Sequence, residues 1–344
     1  MSALFDSGMF VRAPAWHGEG NVVAEAPATW AEARTLAGLD WEPTVAPLYA
    51  AAGMDEDGTV LYTQEEGIQK VERTDTGNRL AVVSTGYHLI SHHAMGEIAA
   101  ELLRDDNVRI ETAGSLNGGR NVWALFKLGD PIQVKGDPSL LLPFAALLNA
   151  HDGSGALKAI ATTVRIVCMN TYNYADADAE ARGTVATIHH TANWEQRIDK
   201  AREALTGARK DSRELAEWFD YLTQVAVTDA QLRALTRELF WPKDSSASIS
   251  ERVETNIKAS EDLFWQFYRS ATCEGIRGTA YGAVQALGEY LQYRPLTAKS
   301  AEGRRDQATK RTLLSTDNAK RNGARILGEI IGVPLVKARA TASA

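Results

Sequence analysis

Residues Asn149–Ala175 read NAHDGSGALKAIATTVRIVCMNTYNYA, and the patterning of this stretch sets the fold class. An apolar run gives way to a polar turn, His151-Asp152-Gly153-Ser154-Gly155. A second run, Ala156–Cys168, follows with only two charges, Lys158 and Arg165, and closes in Met169-Asn170-Thr171. Gly and Asp between two β-prone runs predict a hairpin. Lys158 and Arg165 are seven residues apart, so on an unbroken strand they face opposite sides. At least one cation therefore sits on a core-like strand, at a cost of several kcal/mol unless it is paired. Such a residue is held by a carboxylate or kept for an anionic ligand.

The flanking sequence repeats this style. Val60–Gln64 and Ile68–Arg73 read as short strands, 74–78 as a turn, and Arg79–Ser84 as the return strand. Ser91 caps a predicted helix through Leu103 with Met95, Ile98, Ala99 and Leu102 on one face. Val108–Leu116 and Asn121–Leu128 flank Asn117-Gly118-Gly119, a strong hairpin signal. Leu140–Ala150, Leu157–Cys168 and Thr184–His190 complete the strands. Strands, a helix and then hairpins give an α+β class with a curved, mainly antiparallel sheet and a packed helix, followed by a helical domain.

Four segments are expected. Residues 1–58 form an N-terminal arm in which Trp16, Trp30 and Trp41 anchor weakly patterned chain to a body. Within it, Thr29 and Glu32 make a capping-box pattern for a helix over Trp30–Ala37, ended by Gly38. Residues 59–190 form the sheet domain and 191–332 the helical domain, with runs over Trp194–Val227, Asp229–Phe240, Ile249–Ala271, Thr279–Tyr293 and Gln307–Ile331. Residues 333–344 form a loose tail.

The 344 residues suffice for two domains, and 44% hydrophobic with 24% charged residues is ordinary for a globular protein. No apolar run approaches the roughly 18 residues of a membrane span, and the N-terminus lacks the pattern of a secretory signal. Cys168 and Cys273 are too few and too far apart for a disulfide framework or zinc site, as suits a reducing cytoplasm. The net charge of −7 is uneven: residues 1–189 carry 13 Lys/Arg against 24 Asp/Glu (−11), residues 190–344 carry 24 against 20 (+4). Within 294–325, nine basic residues face three acidic ones (+6), a candidate polyanion contact or the basic end of a solvated helix.

Covalent chemistry finds little footing. His151 and Asp152 adjoin, so on a strand they point apart, and Asp152 in a turn caps its own backbone. His92/His93 and His189/His190 adjoin too, while His88 and His92 are four apart with the predicted helix starting between them; His17 has no evident partner. None of these is a metal-ligand spacing. Ser154 in HDGSG lacks the first Gly and the strand–elbow–helix context of a nucleophile elbow, and nothing marks Cys168 as a thiolate. Asp176, Asp178 and Glu180 suit a helix start better than a Mg²⁺ site. Neither GxGxxG nor a P-loop occurs. No catalytic residue, metal or cofactor is expected.

Four ordered blocks carry a resemblance: Thr76-Gly77 through Val82-Val83-Ser84 to Gly86-Tyr87; Thr112–Leu116 with Gly118-Gly119-Arg120 and Trp123; His151–Ser154 with Val164–Thr171; and Gly278–Ala283. Together they resemble the DUF932 family of phage- and plasmid-encoded proteins, over about residues 15–330. The resemblance implies no activity, but its genetic setting favours DNA transactions in a bacterial cytoplasm. A hairpin, third strand and helix over an antiparallel sheet is also similar, at fold level, to Rad52/RecT-like single-strand annealing proteins, whose rings or filaments hold single-stranded DNA in a basic groove.

The expected function is thus that of an oligomeric single-stranded DNA-binding, strand-annealing recombination protein. Lys158, Arg165, Arg120 and Arg109 are the expected phosphate contacts, with Arg304, Arg305, Lys310 and Arg311 as a secondary patch. A host-interaction or anti-defence protein that binds a bacterial protein partner is the alternative, and a metal-dependent nuclease the third.

Overall fold

The computed structural model describes residues 5–12, 20–165, 170–172, 185–242, 249–295, 297, 299–300 and 318–335. The fold is α+β. Two compact units divide the chain: residues 1–129, 144–162 and 179–209 form the first, residues 130–143, 163–178 and 210–344 the second. These boundaries differ from the four segments read in the sequence. The N-terminal residues belong to the first unit's body, and each unit recruits chain from both sides of residue 190.

The first unit contains most of a nine-stranded sheet. Its strands are β1 (Phe5–Val11), β2 (Asn21–Val23), β6 (Val108–Leu116), β7 (Asn121–Leu128), most of β9 (Leu140–Ala150) and β10 (Leu157–Arg165), and β12 (Val185–Ile188). The order runs β10-β9-β7-β6-β1-β2, with β12 pairing β10. The described pairings in this sheet are antiparallel except β1–β2. Within residues 1–58, β1 and β2 join this sheet. Ser7, Gly8 and Asp6 hide the strand character of β1, yet Gly8 and Gly114 pair and leave room for the Trp123 ring. A Cβ on Gly114 would lie 2.4 Å from that ring and from the Ser7 carbonyl oxygen.

A three-stranded antiparallel sheet joins β3 (Pro43–Met54), β4 (Val60–Arg73) and β5 (Arg79–Ser84). The two short strands expected over 60–73 are one 14-residue strand. Gly67 interrupts the apolar alternation at positive φ without ending the pairing. α1 (Trp30–Ala37), capped by the Thr29 hydroxyl and closed by Gly38, packs on β1 and β6 of the larger sheet, and α2 (His92–Leu103), capped by Ser91, packs on β6. Met95, Ile98, Ala99 and Leu102 of α2 are buried, as their spacing requires. Trp30 and Trp41 join the same core as anchors, and Trp16 lies outside the described residues.

The second unit is mainly helical. It holds α4 (Asp229–Phe240), α5 (Glu251–Tyr268), α6 (Ala280–Tyr293), α7 (Asn318–Ile331) and the longer part of α3 (Ile198–Gln224). Two short pairings accompany them: β8 (Ile132–Gln133) with Leu140 and Leu141, and β11 (Asn170–Tyr172) with 163–165. Ala280–Leu291 is buried on every side, so α6 is the unit's central helix rather than an amphipathic surface one. The stripe Tyr281, Val284, Leu287 and Leu291 packs with Phe219, Phe264 and Tyr268. Cys273 is buried in this core. No helix among the described residues is long and apolar enough to cross a membrane.

Candidate functional site

Strand alternation divides the larger sheet into two faces. Val108, Ile110, Phe126 and Leu128 point into the core with Leu157 and Ala159. Arg109 and Lys127 lie between these positions and are cross-strand partners, so they share the opposite face. Lys158, between Leu157 and Ala159, is opposite Thr187 on that same face. It is half-buried, and among the described residues it has no carboxylate partner. Arg109 is exposed, and one guanidinium nitrogen donates to its own Val108 carbonyl (2.8 Å). Arg12 approaches Glu111 at 3.8 Å close by. Burial raises the Glu111 carboxyl pKa, and Arg12 and Lys127 pull it back only in part. Two cations, Arg12 and Lys127, thus act on one carboxylate.

The other expected contacts are placed differently. Arg120 follows the Asn117–Gly119 turn, at the opposite end of the β6–β7 hairpin from Arg109. Its Nε donates to the Leu80 carbonyl (2.9 Å) and its own carbonyl accepts from the His151 N–H (2.7 Å), so it clamps the turn to β5 and the β9–β10 connection. The Arg165 backbone pairs with Asn170, which ends β10. Arg304, Arg305, Lys310 and Arg311 lie outside the described residues, as do His17, Cys168, Asp176, Asp178 and Glu180.

Sequence spacing gave no hint of a buried histidine centre in the first unit. His92, His151 and His190 are 59 and 39 residues apart, yet all three are buried. His92 Nδ1 donates to the Trp41 carbonyl (2.9 Å) and His190 Nδ1 to the His88 carbonyl (3.1 Å). These bonds leave Nε2 as the bare nitrogen of each ring. His151 sits 5.2 Å from His92 between ring centroids, and among the described residues neither of its nitrogens has a partner. Trp41 Nε1 and Asn149 Oδ1 are likewise buried with no partner among the described residues. Burial lowers the His92 pKa to about 4, helped by Arg34. It also lowers His190 to about 4, against its bond to His88, and drives His151 well down, with His92 and His190 adding to the effect. Tyr87 stacks on His190 at 4.5 Å and donates to the Ala150 carbonyl (3.2 Å). Burial pushes its phenol up.

The turn chemistry follows from the sequence. Asp152 Oδ1 accepts from the Ser154 N–H (2.9 Å) and hydroxyl, so the carboxylate caps the turn and neither orients His151 nor activates a nucleophile. Among the described residues no three His, Cys, Asp or Glu side chains stand in metal-ligating range. The centre is a set of buried imidazoles whose pKa values burial lowers.

A family model described as "Domain of unknown function (DUF932)" matches residues 79–316. That span starts at β5, so β1 to β4 precede it. No curated protein and no solved structure matches the chain, which leaves the likeness to annealing proteins without a solved counterpart.

Proposed function

The chain belongs to the DUF932 family, and from that premise we propose that it binds single-stranded DNA and promotes strand annealing without covalent chemistry. The observation that carries this reading is Lys158. A half-buried ammonium on a sheet face, with no carboxylate partner among the described residues, is what an anion-binding surface requires. Arg109 and Lys127 share its face. Cations that share one face of an antiparallel sheet contact phosphates and ignore base identity. Two coated strands then meet by base pairing, which needs no catalytic residue.

The test is a fluorescence-polarisation titration with a single-stranded oligonucleotide across salt concentrations. Affinity should fall with salt at a log–log slope of about −0.7 per phosphate contact. Lys158→Ala with Arg109→Ala should reduce the magnitude of that slope by roughly 1.4. An absence of binding at low salt, or a slope unchanged in the double variant, overturns the proposal. A bacterial protein captured in its place would favour the host-interaction reading.

A further inference from the structure

Beyond Gly67 the β3–β4 hairpin leaves the three-stranded sheet. The described β5 pairing reaches only Ile68–Glu72, whereas β3 and β4 stay paired from Tyr49↔Gln64 to Met54↔Val60. The result is a two-stranded ribbon roughly 20 Å long, at about 3.4 Å per residue. Nearly all its residues are exposed on both faces: Tyr49 at 56%, Met54 at 70%, Leu61 at 49% and Tyr62 at 66%. Pairing and alternation place Tyr49, Met54, Val60 and Tyr62 on one face. A two-stranded hairpin is at best marginally stable alone in water, so an apolar ribbon of this length needs a cover.

Charge identifies the cover. No Lys or Arg occurs between Arg34 and Lys70, while Asp55, Glu56 and Asp57 crown the tip and Glu65 and Glu66 lie near its base. That field repels a polyanion and, in a ribbon-to-ribbon contact, sets like charges against each other. The complementary charge is in the same chain: residues 294–325 carry nine basic side chains against three acidic ones.

We propose that copies of this chain assemble head to tail, the acidic, aromatic ribbon of one copy being covered by the basic segment 294–325 of the next. Two different surfaces make the contact, so it is heterologous and propagates into a ring or filament. The proposal stands on the ribbon and the basic segment and not on the DNA reading, and the ribbon precedes the family match.

The test uses the full chain in three forms, with mass read by light scattering. One is the wild type. The second carries Met54→Ser and Tyr62→Ser, and the third Arg304→Ser, Arg305→Ser, Lys310→Ser and Arg311→Ser. The wild type should form assemblies of several copies, and each variant should be a monomer. An equimolar mixture of the two variants should give a dimer, because only one intact ribbon and one intact segment remain to meet. A monomeric wild type, a ribbon variant of wild-type mass, or a mixture that stays monomeric each overturns the proposal. Should the ribbon variant lose its circular dichroism spectrum, Asp55→Lys with Glu56→Lys and Asp57→Lys replaces it and keeps the apolar stripe. Lys158→Ala should retain the wild-type mass, and a wild type that assembles yet binds no single-stranded DNA sinks only the DNA reading.

Discussion

On the near side of Gly67, β3 and β4 reach a core on one face through Val71; on the far side the same two strands are exposed on both faces. Val71 is fully buried at the near end, and Trp41, two residues before β3, packs edge-on to His92 at 4.4 Å. Arg73 closes β4 by placing its guanidinium 4.2 Å over the Trp41 ring and pairing with Asp6 and Asp75 at 2.7 and 2.8 Å. Asp75 and Asp6 raise the Arg73 pKa, with burial opposing, and Arg73 in turn lowers that of Asp75. None of these restraints reaches the far half. One hairpin thus contains a segment fixed by its own chain and a segment whose stability must come from another molecule.

The comparison breaks most visibly at Trp41. Trp41→Ala should lower unfolding free energy by about 3–5 kcal/mol, as other large aromatic deletions from cores do. Urea denaturation followed by circular dichroism would read it. A loss below about 1 kcal/mol would mean that the near half is no better anchored than the far one.

Acid should act next most strongly, and again on the near half. A histidine whose folded pKa is lowered takes up its proton more readily when unfolded. Its contribution is therefore intact above the ordinary value of 6.5 and is lost as pH falls through the folded value. For His92, at about 4, the loss on going from neutral pH to pH 4 is about 3 kcal/mol. His151 and His190 act in the same direction. Thermal melts between pH 7 and pH 4 should show a steep fall below pH 6.5. His151→Leu removes the two unpartnered ring nitrogens and should make that fall shallower without lowering stability at pH 7. A pH profile identical to wild type would refute the assignment.

The smallest effect belongs to the ribbon. In dilute, monomeric protein, Met54→Ser should change unfolding free energy by no more than about 0.5 kcal/mol, as exposed positions do. A larger loss in the monomer would mean that Met54 packs against its own chain.

Much of this fold was legible wherever a local rule fixes local geometry. Thr29 and Ser91 announced two helix starts because a hydroxyl before an apolar period satisfies orphan backbone donors. Asn117-Gly118 announced the β6–β7 hairpin because both residues adopt positive φ. Where the controlling contact is remote, sequence patterning was silent. The strand role of β1 depends on Gly8 meeting Gly114 beneath Trp123, and the continuity of β4 depends on pairing with β3 across Gly67. The histidine centre collects side chains from α2, the end of β9 and the residues after β12, which no short motif can encode. Among the cations, alternation set Lys158 and Arg165 on opposite faces without saying which faces the core, and Arg120 is committed to a backbone carbonyl that the sequence could not reveal.

The pairing of β1 with β6 bears on how this protein folds. Ser7 and Ser115 share a hydroxyl contact at 3.1 Å although they lie 108 residues apart. Closing so long a loop carries an entropic cost that nearby hairpins such as β6–β7 avoid. The hairpins therefore form early and β1 docks late, leaving the β6 edge open in the interval. An open edge is where a strand from another molecule can pair wrongly. Refolding yield should therefore depend on protein concentration in this interval, and a short peptide matching Phe5–Val11 would compete for the same edge.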